Sequence, residues 1–271
     1  HSLFLLTALS PVFAWLITKF HRDTKPLFNK WMLLTFVVLN GSVLLDLFTI
    51  YGTQILWPLD TTPHAVPALF IIDPLFTLPI LIGVSAALFL KNHRLNFIGL
   101  CLSLTYLIWA LGVSVFINGK MEEKLNEQGV PYSQFISSPA PFTTLLWRTV
   151  GIHNDQYFET YYSLFDGDAP LLVNFYPRNL SLMKGLKAHP PVAKLEQFTH
   201  GYFTMSENNG SIAMTDLRMG SEPNYVFQFQ VAELEGSKNI PTKPIRLQTI
   251  RDWSQLPWLW ERIWNPLAQP I

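Results

Sequence analysis

One carboxylate stands where a carboxylate is costly. Asp46 lies near the end of an apolar stretch, residues 31–51, with Ser42 four positions before it and Thr49 and Thr53 three and seven after. At helical spacing these four share one face. A charged carboxylate at membrane depth costs a few kcal/mol or more unless it is paired, solvated or bound to an ion, so it is a functional candidate by default, and holding a cation is the chemistry it suits. A second acid, Asp73, opens the stretch of residues 67–90 and is followed by Pro74 and Pro79. It reads either as a helix N-cap with proline at the first helical position or as a substrate-binding group at the same outer depth as Thr53. Later, Asp216, Arg218 and Glu222 alternate charge around a turn. Arg218 can clamp a phosphate or carboxylate bidentately, with Arg148 assisting from a neighbouring strand; the other reading is an arginine–carboxylate network that fixes the turn. The seven histidines show no HxxxH or HExxH spacing.

Four apolar segments, residues 2–18, 31–51, 67–90 and 96–117, are each near the ~20 residues that cross a bilayer. The first is short and holds Pro11. Residues 19–30 carry Lys19, Arg22, Lys25 and Lys30, residues 91–94 carry Lys91 and Arg94, and residues 52–66 carry no basic residue. The positive-inside rule then makes the two basic loops cytoplasmic. That puts His1, residues 52–66 and everything after Asn118 on the opposite side, the periplasm for a bacterial inner membrane. From Asn118 the composition changes. Residues 121–129 read as a short polar helix ended by Gly129, and residues 137–142, with Pro139 and Pro141, read as a linker. Two hairpins follow, turning at residues 153–156 and 207–210. Residues 225–231 alternate as a half-buried strand, and residues 181–198, broken by Pro190 and Pro191, hold one or two short helices. The tail, residues 253–265, is rich in tryptophan: Trp253, Trp258, Trp260 and Trp264. It suits an interfacial amphipathic helix or packing onto the sheet. The fold class expected is a membrane α-helical bundle of about four transmembrane helices, residues 1–117, followed by an α+β, mainly antiparallel-sheet domain, residues 118–271.

Composition agrees with membrane residence. Of 271 residues 14% are charged and 49% apolar, against roughly 25% charged in ordinary soluble domains. Charge balances at 19 basic to 19 acidic residues, which sets direct nucleic-acid binding aside. A single cysteine, Cys101, excludes an intrachain disulfide, a thiolate zinc site and a CxxC redox pair. The chain starts at His1 without the basic region of a signal peptide, and is expected to be a fragment or processed form.

Several blocks in order carry a resemblance: His1-Ser2-Leu, Leu44-Leu-Asp46, Phe48 to Gln54, Phe70 to Pro79, Pro141 to Arg148, Tyr161 to Leu164, and Asp216 to Pro223. Through nearly its whole length the chain resembles the YdjM-like membrane-bound metal-dependent hydrolases of bacterial inner membranes. That family's pattern has an upstream segment and an His-Arg-Gly-x-Thr-His-Ser motif whose last two residues match His1 and Ser2. It also has a histidine four residues before the aspartate that matches Asp46. The resemblance implies a divalent metal, zinc among the candidates, with His1 and Asp46 as ligands and catalytic residues. The expected second-segment histidine is Ser42 here, a poor ligand, and two ligands are too few for a closed zinc site.

The function expected is metal-dependent hydrolysis of a lipid-linked or amphiphilic phosphate or ester in the bilayer. The alternative is a non-enzymatic membrane protein whose β-rich domain binds a partner or envelope component. A transporter is the weaker third, since no inverted repeat is visible.

Overall fold

The computed structural model describes residues 1–236, 238–248, 254 and 256–269, which divide into two compact units, residues 1–67 and 68–271. In the first, the Ser2 hydroxyl accepts from Leu5 N at 3.4 Å and caps α1 (Leu3–Phe20). A 3-10 turn (Arg22–Leu27) leads into α2 (Phe28–Leu47). The burial pattern of this pair is inverted relative to a water-soluble hairpin. Ser10, Ala14 and Thr18, at spacing four, are the buried residues of α1, whereas Phe4, Phe13, Trp15 and Phe20 point outward. Small and hydroxylated residues inside with large apolar ones outside is the arrangement lipid selects, because backbones then approach closely and hydrocarbon solvates the rest. Thr7 Oγ1 donates to Asn40 Oδ1 at 3.0 Å and Thr35 Oγ1 to Ser10 O at 2.9 Å, joining the two helices.

The four-residue polar face expected around Asp46 is not a single helix face. α2 stops at Leu47, because Thr49 turns back on Asp46, its backbone N–H donating to Asp46 O at 3.1 Å and its hydroxyl at 2.8 Å. Gly52 then takes φ +84°, and Thr53 joins His64 in an antiparallel bridge through bonds of 2.8 and 2.9 Å. Local side-chain bonds of this kind compete with helix propagation. Ser42 and Asp46 alone remain on the helix.

The second unit opens with α3 (Pro74–Phe89) and α4 (His93–Glu127), capped by Asp73 and Asn92. α1, α4 and the stretch Asp23–Leu47 are long and apolar enough to cross a membrane; α3 is shorter. Its 16 residues span about 24 Å, against ~30 Å of hydrocarbon. It starts at Pro74 and not at residue 67, because Asp73 takes the cap position. α4 does not stop at 117, and no separate polar helix follows. Asn118-Gly-Lys120 contains no proline, good helix formers come next, and Met121 and Leu125 gain burial against the sheets, so the helix runs to Glu127.

α3 and α4 meet at glycine. A Cβ on Gly99 would sit 2.2 Å from Pro79 O, and one on Gly83 3.0 Å from Asn96 Cα. The Ser103 hydroxyl bonds Phe76 O at 2.7 Å. Gly99→Ala is therefore expected to force the helices apart and cost about 1–3 kcal/mol, read as a lowered thermal midpoint in detergent. Gly112→Ala, whose Cβ meets nothing within 4 Å, serves as the control, and equal midpoints for the two variants would count against this packing.

Beyond α4 lie two antiparallel sheets. One has order β1-β2-β3-β4, with β1 Gln134–Pro139, β2 Leu146–His153, β3 Gln156–Ser163 and β4 Asn174–Pro177. Residues 137–139, expected in a linker, thus belong to β1, an edge strand where a terminal proline is tolerated; Ser137 and Thr149 pair their hydroxyls at 2.9 Å. A 3-10 turn (Leu180–Met183) and α5 (Pro190–Phe198) follow. The second sheet, order β10-β9-β6-β5, contains β5 Phe203–Asn208, β6 Ser211–Asp216, β9 Gln228–Glu235 and β10 Lys238–Arg246. Between β6 and β9 a small hairpin pairs β7 (Gly220–Ser221) with β8 (Asn224–Tyr225). α6 (Leu256–Trp264) carries the tryptophan-rich tail; Trp253 lies outside the described residues. Val113, Ile117, Met121 and Leu125 of α4 pack with Trp147, Phe158, Tyr162 and Leu171. Met205, Ile212, Met214 and Val231 form a second core under α5 with Val192 and Leu186.

Candidate functional site

His1 and Asp46 meet. Nδ1 of His1 lies 2.5 Å from Asp46 Oδ2, with the imidazole largely exposed and the carboxylate half exposed. Three pieces of backbone make this possible. α1 begins two residues after His1 and α2 ends one residue after Asp46. The loop 48–66 holds the start of α1 through Leu3 N to Ile55 O, 3.1 Å, and the Ser2 hydroxyl to Trp57 O. A ring nitrogen engaged by a carboxylate fixes the tautomer and orientation of the imidazole. Among the described residues no hydrogen bond engages its Nε2, the nitrogen left to take a proton.

A second histidine–aspartate pair, which the sequence reading missed, sits in the same loop. His64 Nε2 lies 3.0 Å from Asp60 Oδ2, while Thr62 N donates to Asp60 Oδ1 at 2.8 Å. The spacing of four between an acid and a histidine was the available signal. The backbone N–H of Thr62, then its side chain and His64, hold the Asp60 carboxyl down at about 2, below the ordinary 3.8. A lowered folded value means that what these bonds contribute is complete above pH 3.8 and is lost as the pH falls through about 2. Carboxyl-carbon NMR of Asp60 should give a midpoint near the lower figure. A midpoint at 3.8 would mean the turn does not hold it.

Among the described residues no group of three His, Cys, Asp or Glu side chains could hold a metal ion. His1 and Asp46 supply two donors, and these face each other directly, where a catalytic zinc takes three protein ligands at about 2.0–2.2 Å from the ion. The described donor set does not fit a zinc centre.

Asp73 is buried and its oxygens are occupied. Oδ1 accepts from Leu75 N at 2.9 Å and Phe76 N at 3.4 Å, and Oδ2 accepts from the Tyr106 hydroxyl at 2.9 Å, which also lies 3.1 Å from Thr144 Oγ1. The structure gathers Arg148, Asp216, Arg218 and Glu222 around one turn of the sheet region, but turned inward. Arg218 binds Asp216 through Nε at 3.0 Å and Nη2 at 2.7 Å, and its guanidinium stacks 4.8 Å from the Phe198 ring. Arg148 pairs with Glu159 and donates twice to Leu217 O at 3.0 Å. Glu159 also accepts from Tyr225 at 2.5 Å, and Tyr157 donates to Glu222 at 2.8 Å. To reach a ligand, either arginine would have to leave a buried carboxylate. Burial works against the Arg148 charge and Glu159 outweighs it, so its pKa is raised. Burial and then Glu159 push the Tyr225 hydroxyl upward. Glu159 and the two tyrosines escaped the sequence reading. The signal was an acid between Tyr157 and Tyr161 on one strand face.

No curated protein and no solved structure matches the chain. Residues 1–118 match the model of the YdjM inner membrane protein family. The match covers α1, α2, α3 and α4 as far as Asn118, about three-quarters of the way along α4, and over those residues the chain is similar to the YdjM inner membrane protein family.

Proposed function

We propose that this inner-membrane protein is a hydrolase of an amphiphilic, lipid-linked phosphate or ester, with His1 as general base and Asp46 as the group that positions it. The observation that carries the reading is the 2.5 Å contact between His1 Nδ1 and Asp46 Oδ2. In the reaction Nε2 takes a proton from water as the water oxygen attacks the phosphoryl or acyl centre. Asp46 balances the imidazolium, and the proton then passes to the departing alkoxide. The helix pair does not need Asp46 for association, since Thr7–Asn40 and Thr35–Ser10 serve that purpose. Exposed Phe4, Leu5, Leu44, Leu45, Leu56 and Trp57 surround this end of the helices, which suits a substrate arriving with an acyl or prenyl tail. The basic residues of residues 19–30 and 91–94 support a periplasmic position for this end and for the sheets.

The test uses the full chain in phosphatidylethanolamine–phosphatidylglycerol bilayers, with long-chain p-nitrophenyl phosphodiesters and acyl esters as probes. Turnover about 10²- to 10⁴-fold lower in His1→Gln, still measurable above the uncatalysed rate, is expected on one probe class. Wild-type chain no faster than His1→Gln on both would contradict the proposal.

A further inference from the structure

We infer that the outward face of α6 is seated in the interfacial layer of the same bilayer that α4 crosses, making the tryptophan-rich tail a second membrane attachment. α6 has two faces with different fates. Trp258, Arg262 and Ile263 are buried. Arg262 grips Asp166 through two bonds of 2.8 and 2.7 Å and Tyr161 O at 2.7 Å, and the Ser163 hydroxyl donates to Ile263 O at 2.6 Å. A bidentate arginine–carboxylate pair of this kind sets the helix's rotation as well as its place.

With that rotation set, Trp260 and Trp264 face outward at 64% and 55% exposure, beside Phe165 at 56% and Leu267 at 65%. They form one patch, since Phe165 stacks on Trp264 at 4.8 Å and Trp260 meets Trp264 edge-on at 6.1 Å. Contiguous exposed aromatics mark an interaction surface.

The occupant follows from where α6 is anchored. Ile263 shares a buried cluster with Ala140 and Leu146, with Leu145 and Leu259 packed against it. Thr144, in the same segment, has its hydroxyl 3.1 Å from that of Tyr106 in α4, and Phe142 meets Phe70 edge-on at 5.4 Å. Tyr106 comes ten residues before Phe116, the last large exposed apolar residue of α4, which is about 15 Å along the helix. The segment against which α6 packs is therefore tied to α4 within its apolar length and not beyond it, which brings the patch within reach of the bilayer that α4 is long and apolar enough to cross. Tryptophan concentrates at the bilayer–water interface, and an amphipathic helix lying in that plane holds by its buried apolar area. Among the described residues the outward patch is made of Phe165, Trp260, Trp264 and Leu267, all uncharged, so the attachment is apolar and independent of anionic lipid.

The test places a nitroxide at Leu267→Cys in a Cys101→Ser background of the full chain, in bilayers of phosphatidylcholine alone and of phosphatidylethanolamine with phosphatidylglycerol. Collision with oxygen is expected to exceed collision with a water-soluble nickel chelate several-fold in both lipids, while a label at Ser206→Cys, on an exposed strand position, shows the reverse. A Leu267 label as open to nickel as the Ser206 label would overturn the inference. So would a label shielded from both quenchers, which would mean that a second protein chain covers the patch. Neither result depends on hydrolysis at His1.

Discussion

Asp46→Asn is expected to lower turnover by about 10²- to 10⁴-fold while leaving the protein folded. The amide keeps the size of the side chain but removes the charge that balances the imidazolium, and it lets the ring settle in the wrong tautomer. Folding should survive because the bonds between α1 and α2 come from Thr7, Asn40 and Thr35, and because Asp46 is half exposed. Ser42→Ala, four residues away on the same helix, should change nothing, since among the described residues that hydroxyl bonds only the Leu39 carbonyl of its own helix, at 2.8 Å. Steady-state kinetics on the bilayer-reconstituted chain, with circular dichroism as the folding control, reads both. Equal losses in the two variants would mean the polar stretch of α2 acts through general stability and not through the His1 contact.

The largest stability effect is expected at Arg148. Its guanidinium is buried against Glu159 and bonds the Leu217 carbonyl twice. Arg148→Met leaves the Glu159 charge buried beside Tyr225 and Tyr157 and strips that carbonyl, a loss of about 3–5 kcal/mol. Removing both partners together, Arg148→Met with Glu159→Gln, should recover much of the loss, because a buried ion pair replaced by neutral groups is often close to neutral in cost. Urea unfolding of the full chain in detergent, followed by near-ultraviolet circular dichroism, gives the four corners of the cycle. A double variant as unstable as the sum of the singles would show that Arg148 acts through packing alone.

What could be read from the residues was local. The apolar runs marked α1, α2 and α4, and the turns at Asn154-Asp155 and Asn209-Gly210 marked two hairpins that the strand registers bear out. Of the two readings of Asp73 followed by Pro74, a helix cap or a substrate-binding group, the cap is present at the start of α3. What could not be read depends on partners far away in the chain. α2 ends where Thr49 and the loop bridge to His64 take over, and α4 continues because Met121 and Leu125 find a sheet to pack on. Arg148 lies 69 positions from Leu217 and Arg262 lies 96 from Asp166, so no spacing rule joins them. The same holds for the site. Asp46 stood out by the cost of its surroundings, whereas its contact with His1, 45 residues away, needed the helix hairpin to be folded. Arg218 and Asp216 were visible as a charged turn, but only the structure shows both buried and bonded to each other.

His1 and Asp46 are expected to act as one unit in turnover, and a kinetic double-mutant cycle separates that from two independent roles. Turnover is measured for the wild-type chain, Asp46→Asn, His1→Gln and the double variant in identical bilayers. If Asp46 works through the histidine ring, the double variant is no slower than His1→Gln alone, as expected for groups that operate together. A double variant slowed by the product of the two single effects would mean that each residue serves a separate purpose and that Asp46 does not act through the imidazole.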